Sequence, residues 1–447
     1  MRGLAVKMVT AGVLIFVLLY SLGTIRGLVQ ERQELRNQVV TDIARSSSYA
    51  QQITGPIVVV PYRRVLREWQ QAENSTQHIL KERTVNGELR FLPETFKLDG
   101  EIKTELRSRG IYQARLYHTN NKISGSFDIP AQYGIAYDFG DYSFDQPYLA
   151  MGISDIRGIE NALSLQLNGE RLAFSPGAQT DLLGSGVHAP ITLNIANGVA
   201  HLEFALDLQL QGTEQFNITP VGRDTQVTLR SDWPHPSFIG DYLPAQRTIT
   251  DKGFNAQWQT SFFATNLEEI LSKCRTDAEC SELKQRHFGV NFVDPVDQYL
   301  KSERALKYAL LFIALTFAGF FLFEVLKKLQ VHAIQYGLVG LALAVFYLLL
   351  ISLSEHIGFA WAYLLSAGAC VTLLSYYIGY VLRHFSRGLC FGAALALLYT
   401  LLYGLLSAED YALLMGSLLV FALLGAVMVL TRNVDWFKLT HAQPIEE

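Results

Sequence analysis

The motifs that usually announce chemistry are missing. No Gly-x-Ser-x-Gly elbow, phosphate-binding loop or dinucleotide fingerprint occurs, so none of the reactions built on those motifs is indicated. His78, His118, His188, His201, His235 and His287 are scattered, with no pair at helical or zinc-finger spacing. A metal site is therefore not expected, and neither a cofactor nor a catalytic residue is implied. The net charge is −4 with no Lys/Arg-rich run, which argues against nucleic acid as a partner. No internal repeat at a fixed period is found. Proline is absent between Tyr308 and Leu430, and Lys, Arg and Asp are absent from the apolar runs there. Ion-coupled transporters build midplane sites from broken helices and buried charges, so this absence disfavours a conduit.

What that block does contain is apolar length. Runs of spanning length cover 308–326, 334–353, 358–381, 389–406 and 411–430. A helix of about 20 apolar residues crosses a hydrocarbon layer about 30 Å thick. Short loops join only antiparallel neighbours, so the block predicts a five-helix transmembrane bundle in the lipid bilayer. Small residues suited to close helix contact recur in it, at Gly337 and Gly340, Ser366 to Ala369, and Gly388 and Gly392.

Loop charge orients the bundle, because short cytoplasmic loops collect Lys and Arg. Lys327 and Lys328, Arg383 and Arg387, and Arg432 and Lys438 follow alternate runs. The loops between hold Glu355 with His356, and Glu409 with Asp410, and no Lys or Arg. The C-terminal tail, 431–447, is thus expected in the cytoplasm. Near the N-terminus, Met8 to Leu22 is a further apolar run behind Arg2 and Lys7. Ser21-Leu-Gly-Thr24 makes a poor cleavage site, so an uncleaved anchor over 1–24 is expected. Both termini then lie in the cytoplasm.

Residues 25–52 read as a helical stalk, with Leu28, Val29, Leu35, Val39, Val40 and Ile43 at helix-like spacing. Residues 53–307 read as a large β-rich periplasmic domain. Pro56-Ile-Val-Val-Val-Pro61 resembles a short buried strand between breakers. Asn86-Gly87, Asn168-Gly169 and Asn197-Gly198 each predict a hairpin turn, since Asn-Gly supplies two positive-φ residues. Leu163 to Leu167, Leu202 to Leu206 and Thr225 to Leu229 are expected strands. Two packed antiparallel sheets, sandwich-like, are the expected arrangement. Cys274 and Cys280 lie close together there, and an oxidising compartment favours a disulfide between them. Cys370 and Cys390 fall in membrane spans.

Two sets of residues qualify as candidate sites. The loop from Ser231 to Pro244 is dense in proline and aromatics, and Trp233, Pro234, His235, Phe238, Asp241 and Tyr242 form a candidate binding surface. The plainer reading is a rigid crossover whose aromatics pack inward. Inside the spans, ionisable groups are costly and therefore candidates for function. Glu324 has Lys327 and Lys328 three and four residues on, spacing that suits a local ion pair. Glu355 and His356 sit at the outer end of the next span, where a carboxylate beside an imidazole can pass protons or simply face headgroups.

Taken together, the N-terminal anchor, Gly55-Pro-Ile, Ser154-Asp-Ile-Arg-Gly158, Gly186-Val-His188, the Ser231–Pro244 loop, Tyr347-Leu-Leu-Leu, Leu353-Ser-Glu-His356 and Thr431-Arg-Asn-Val-Asp-Trp436 resemble the CreD family. These are inner-membrane proteins of Gram-negative bacteria, and the resemblance covers almost the whole chain. It implies a place in the regulon of the CreBC two-component system and a role in envelope integrity and stress tolerance. It carries no catalytic residue across. The region from Cys274 to Cys280 matches no family pattern. The expectation is a non-enzymatic envelope protein whose exported domain binds or senses an envelope partner. A transporter or channel is the first alternative, and an enzyme acting at the outer leaflet through Glu355 and His356 the second.

Overall fold

The computed structural model describes residues 2–71, 78–195, 198–274, 283, 285–292, 298–326, 332–381, 384–407 and 412–432. The chain divides into two compact units, Met1–Arg36 with Val296–Glu447, and Asn37–Pro295.

The first unit is helical. It takes in most of helix α1, Arg2–Ser46, and five further helices: α4 Gln298–Leu326, α5 Ala333–Ile357, α6 Phe359–Val381, α7 Phe385–Ser407 and α8 Ala412–Thr431. Each apolar run is a helix, the conformation in which a segment satisfies its backbone groups within itself, as hydrocarbon would require. Among the described residues, 334–357, 359–381 and 385–407 are long and apolar enough to cross a membrane. The first helix of the block starts at Gln298, ten residues before the apolar run, and carries Lys301, Arg304 and Lys307 in its opening turns. The expected stalk ends sooner than Gln52: α1 stops at Ser46 and a strand begins at Gln51.

Missing side chains bring the helices together. A Cβ on Gly337 would meet Leu14 Cδ2 at 2.7 Å, and one on Gly340 would meet Leu18 Cδ1 at 2.7 Å. On the α6–α7 crossing, a Cβ on Gly388 would lie 2.5 Å from Ser375 O and 2.6 Å from Gly379 Cα. Backbone approaches backbone there, as small residues at helix interfaces allow.

The second unit holds two sheets around one core. The first is built on β1, Gln51–Gln71, which pairs parallel with β12 (Gln215–Thr219) and antiparallel with β2 (His78–Phe91), β5 (Tyr142–Phe144) and β6 (Tyr148–Ile153). It continues through β10 (Gly186–Pro190) and β9 (Ser175–Pro176) on one side, and β17 (Phe288–Asn291) and β14 (Ser237–Gly240) on the other. The second sheet centres on the long hairpin of β3 (Thr95–Arg109) and β4 (Tyr112–Ile129). β11 (Ala200–Thr213), β7 (Ser164–Leu167) and β8 (Glu170–Ala173) extend one side, and β13 (Asp224–Ser231), β16 (Gly253–Ser261) and β15 (Gln246–Thr250) the other. Ile53, Val58 and Phe216 of the first sheet share a core with Phe96, Phe127 and Trp258 of the second.

Three expectations need correction. The sheets are mixed, not purely antiparallel, because β1–β12 and β3–β13 run parallel. Pro56 and Pro61 do not bound a short strand. Both lie within the twenty-one residues of β1, with a register shift between Thr54 and Ile57 absorbing the irregularity. The run Ile57 to Val60 is continuously apolar because this sheet is covered on both faces: Val58 and Val60 enter the main core, while Ile57 and Val59 enter a second cluster with Leu267 and Ile270. Finally, Asn86-Gly87 is not a turn but sits mid-strand, opposite Arg63 and Tyr62. Gly87 leaves the space that the Tyr62 ring fills. Asn168 and Gly169, at φ 49° and 86°, do make the expected turn between β7 and β8. Asn197 lies outside the described residues.

The Ser154-Asp-Ile-Arg-Gly158 segment ties the end of α1 into the sheets. Gln51, fully buried, donates from Nε2 to Ser48 Oγ (2.7 Å), Asp155 O (2.9 Å) and Gln211 O (3.0 Å). The Asp155 carboxylate accepts from Tyr49 N and from Arg157, whose Nη1 donates 2.9 Å to Arg45 O at the helix C-terminus. The Arg157 hydrogen bond holds the Asp155 pKa below the usual carboxylate range, against the opposing pull of burial. Val39, Val40 and Ile43 pack beside Ala114 and Leu116.

Candidate functional site

A cleft of about 1630 Å³ opens in the sheet unit, beyond the usual 300–1,000 Å³ of a small-molecule pocket. Its spine is β2. Val85 through Leu92, eight consecutive residues, line it. Successive side chains of a strand point to opposite faces, so one hollow can touch them all only by wrapping round the strand's edge. That edge is open: β2 pairs with β1 and, among the described residues, with no other strand. One wall comes from the second sheet, with Asp128 and Pro130 at the end of β4, and Val199 just before β11. The other comes from Asp181 and from helix α3, Leu267–Lys273, through Glu268 and Leu271, ending at Cys274.

Charge in the cleft is uneven. Arg63, Arg90 and Arg223 line it, and each already has a carboxylate. Arg63 Nη2 is 2.8 Å from Asp145 Oδ1, Arg90 Nε is 3.2 Å from Glu88 Oε2, and Arg223 reaches both Glu268 (2.7 Å) and Glu94 (3.6 Å). Asp128 is bonded to His201 at 2.6 Å, which raises the His201 pKa. Asp181 is exposed and forms no ion pair among the described residues. Six carboxylates thus face three guanidiniums. Tyr148 senses the same field: burial first, then the charge of Glu88, with Asp181 adding, pushes its phenol far above the ordinary value. Arg90 Nη1 also donates 2.8 Å to Cys274 O, and Thr180 Oγ1 donates 2.9 Å to Glu88, so the floor is rigidly bonded.

Of the candidate site residues named from the sequence, Cys274 alone lines this cleft. In the Ser231–Pro244 segment Trp233, Phe238 and Tyr242 are half-buried against the core, while Asp232, Asp241 and Leu243 are exposed. The Arg115 guanidinium lies 3.7 Å over the Trp233 ring, and Trp233 Nε1 donates to His235 O. Phe238, on β14, meets Phe254 and Trp258 edge-on, and the Tyr242 hydroxyl donates to Ala264 O. Asp241 sits 4.0 Å from Arg286, Pro234 is half-buried, and His235 is exposed. Cys274 is in a disulfide, and Cys370 and Cys390 are free; Cys280 lies outside the described residues.

In the helical unit, Glu355 has its side chain only 8% exposed, 3.8 Å from Arg32 Nε, and accepts from the Tyr299 hydroxyl at 3.1 Å. Helix α1 and the consecutive helices α4 and α5, far from it in sequence, therefore meet at one carboxylate. His356 is exposed, and no bond joins it to Glu355 among the described residues. The backbone of Glu324 lies in α4; its side chain, Lys327 and Lys328 lie outside the described residues. No group of three or more His, Cys, Asp or Glu suited to a metal ion occurs among the described residues.

Residues 3–437 match the model of the family described as inner membrane protein CreD. The chain is 34% identical over 424 residues to the inner membrane protein CreD of Escherichia coli (strain K12), covering 95% of this chain and 91% of that protein. Among solved structures, an M1 zinc metallopeptidase from Deinococcus radiodurans bound to a Tyr-Ser-Ala substrate overlaps 38% of this chain and 39% of its own, at 9% identity and a TM-score of 0.20. A likeness that faint carries nothing about fold or activity.

Proposed function

The chain belongs to the CreD family of inner membrane proteins, and from that premise we propose that its sheet unit is a periplasmic binding domain that serves cell-envelope integrity. The observation that carries this reading is the cleft along β2, a large, rigidly bonded and charged hollow in a domain with no recognised catalytic motif. The helices anchor it. In this proposal α1 and the five helices from α4 to α8 cross the inner membrane with both termini in the cytoplasm. The alternation of charge supports that orientation: in the sequence Arg383 follows α6 and Arg387 falls in the first turn of α7, while Glu355 and His356 close α5. Control by the CreBC system and a part in envelope stress follow from the family resemblance. The role is binding or sensing of an envelope partner, without catalysis.

Orientation is the point on which the proposal stands or falls. In a Cys390→Ser background, Asn168→Cys should react with a membrane-impermeant maleimide in cells whose outer membrane alone is permeabilised. Ser386→Cys should react only after lysis. Labelling in the reverse order would place the sheet unit in the cytoplasm and end the proposal.

A further inference from the structure

We propose that the cleft takes an extended, positively charged polypeptide segment, which adds as a strand to the open edge of β2. The inference rests on the sheet unit being a binding domain and names the partner of that same site.

The edge is the first ground. An unpaired strand edge offers a row of N–H and C=O groups, and proteins usually blunt it with Lys, Pro, a bulge or a cover. On β2 the half from His78 to Thr84 carries Lys81, Glu82 and Arg83, whereas Val85 to Phe91 has neither Lys nor Pro. Its one cation, Arg90, is held by Glu88 and by Cys274 O. That unblunted half is the half that lines the cleft. Flat pairing with another edge is hindered by the walls around it, so a single narrow strand suits the space better than a second sheet. At about 3.4 Å per residue, the lined stretch gives main-chain contact over roughly 25 Å.

Charge is the second ground. The three guanidiniums are each paired with carboxylates, while Asp181 is exposed with no cationic partner among the described residues. An anionic glycan or phosphate headgroup would meet net negative charge, and a lipid tail would meet nine charged side chains. Main-chain pairing combined with side-chain pockets is the known logic of strand addition. Here Leu89, Phe91 and Leu271 offer apolar contact between the carboxylates. A segment alternating Lys or Arg with small apolar residues fits both.

The test uses the full chain purified in nonionic detergent and fluorescent ten-residue peptides. The probes are an alternating Lys-Val peptide, its Glu-Val counterpart, and two Lys-Val versions N-methylated on odd or on even residues. An added strand bonds through one of its edges only, so one N-methyl phase should bind nearly as well as the parent and the other should lose roughly tenfold or more. Asp181→Lys should weaken the Lys-Val peptide by roughly fivefold and strengthen the Glu-Val peptide. Equal binding of both N-methyl phases, or equal binding of the two charge forms, overturns the inference. So does a protein that binds no peptide but associates with itself. Val199→Cys, exposed on the cleft wall, separates the two levels: if it reacts with impermeant maleimide from outside while the peptides fail, only the strand-addition idea falls. If it reacts only after lysis, the periplasmic reading falls too.

Discussion

The two units hold together by opposite uses of volume. In the sheet unit, stability comes from atoms put in: Trp258, 2% exposed, stacks on Phe288 at 5.3 Å, meets Phe238 edge-on and donates from Nε1 to Tyr242 O. In the helical unit it comes from atoms left out, at Gly337, Gly340, Gly388 and Gly392, where any side chain would collide with a neighbouring helix. Water drives the first kind of packing. Lipid tails offer no such drive between helices, so close contact must supply it. Opposite substitutions should therefore be damaging in the two units.

The largest effect should come from emptying the sheet core. Trp258→Ala removes the ring joining the two sheets and is expected to cost about 3–5 kcal/mol, read as a lowered denaturation midpoint in detergent. An unchanged midpoint would mean the sheets do not depend on that shared filling. Next comes filling the helix crossing. Gly388→Val sets a side chain against the backbone of Ser375 and Gly379 and should cost about 1–3 kcal/mol. Its signature is loss of the helical transition with the sheet transition retained. A neutral result would show that α6 and α7 can part without penalty.

The smallest effect is electrostatic and confined to the sheet unit. His118, on β4, lies between Glu160 (2.9 Å) and Glu105 (3.3 Å). Partial burial lowers its pKa, but the hydrogen bonds and charges of Glu160 and then Glu105 outweigh that and leave it raised. Glu105 is lowered by its bond to Arg107, helped by His118. For the raised imidazole, the stabilisation is complete below its unfolded value of about 6.5 and disappears as pH climbs through the higher folded value. For the lowered Glu105, it is complete above about 4.3 and disappears as pH falls through the depressed value. Stability measured from pH 6 to 9 should decline gently in the parent and less steeply in His118→Gln, the remainder belonging to His201, whose pKa Asp128 also raises. A slope unchanged by the substitution assigns it elsewhere.

The helices were far more legible than the cleft, for a physical reason. A lipid-length apolar run has one solution, and the expected 358–381 and 411–430 became Phe359–Val381 and Ala412–Thr431. The cleft is assembled from β1, β2, β4 and α3, distant in sequence, and no local pattern marks a free edge. Asn86-Gly87 shows how long-range pairing overrides a strong local turn signal: β2 must run fourteen residues along β1, and Tyr62 needs the space above Gly87. Glu355 was legible as a costly charge, but its partners were not, because Arg32 lies more than three hundred residues away. Ser154 to Gly158 carried the family resemblance, yet only the structure gives it a task, fastening the helix end around Gln51.

The single strand β1 also sets a timetable for making the protein. A ribosome delivers it early, and its far half, residues 58–71, can zip against β2 as soon as Phe91 has emerged. Its near half, 51–54, must wait for Phe216 to Thr219, and contacts of such long sequence separation form slowly. Until then the greasy stretch Ile57 to Val60 stands half-clothed beside a two-stranded ribbon that is barely stable by itself. Before the later strands arrive, that stretch is an uncovered apolar edge of the kind that invites mispairing.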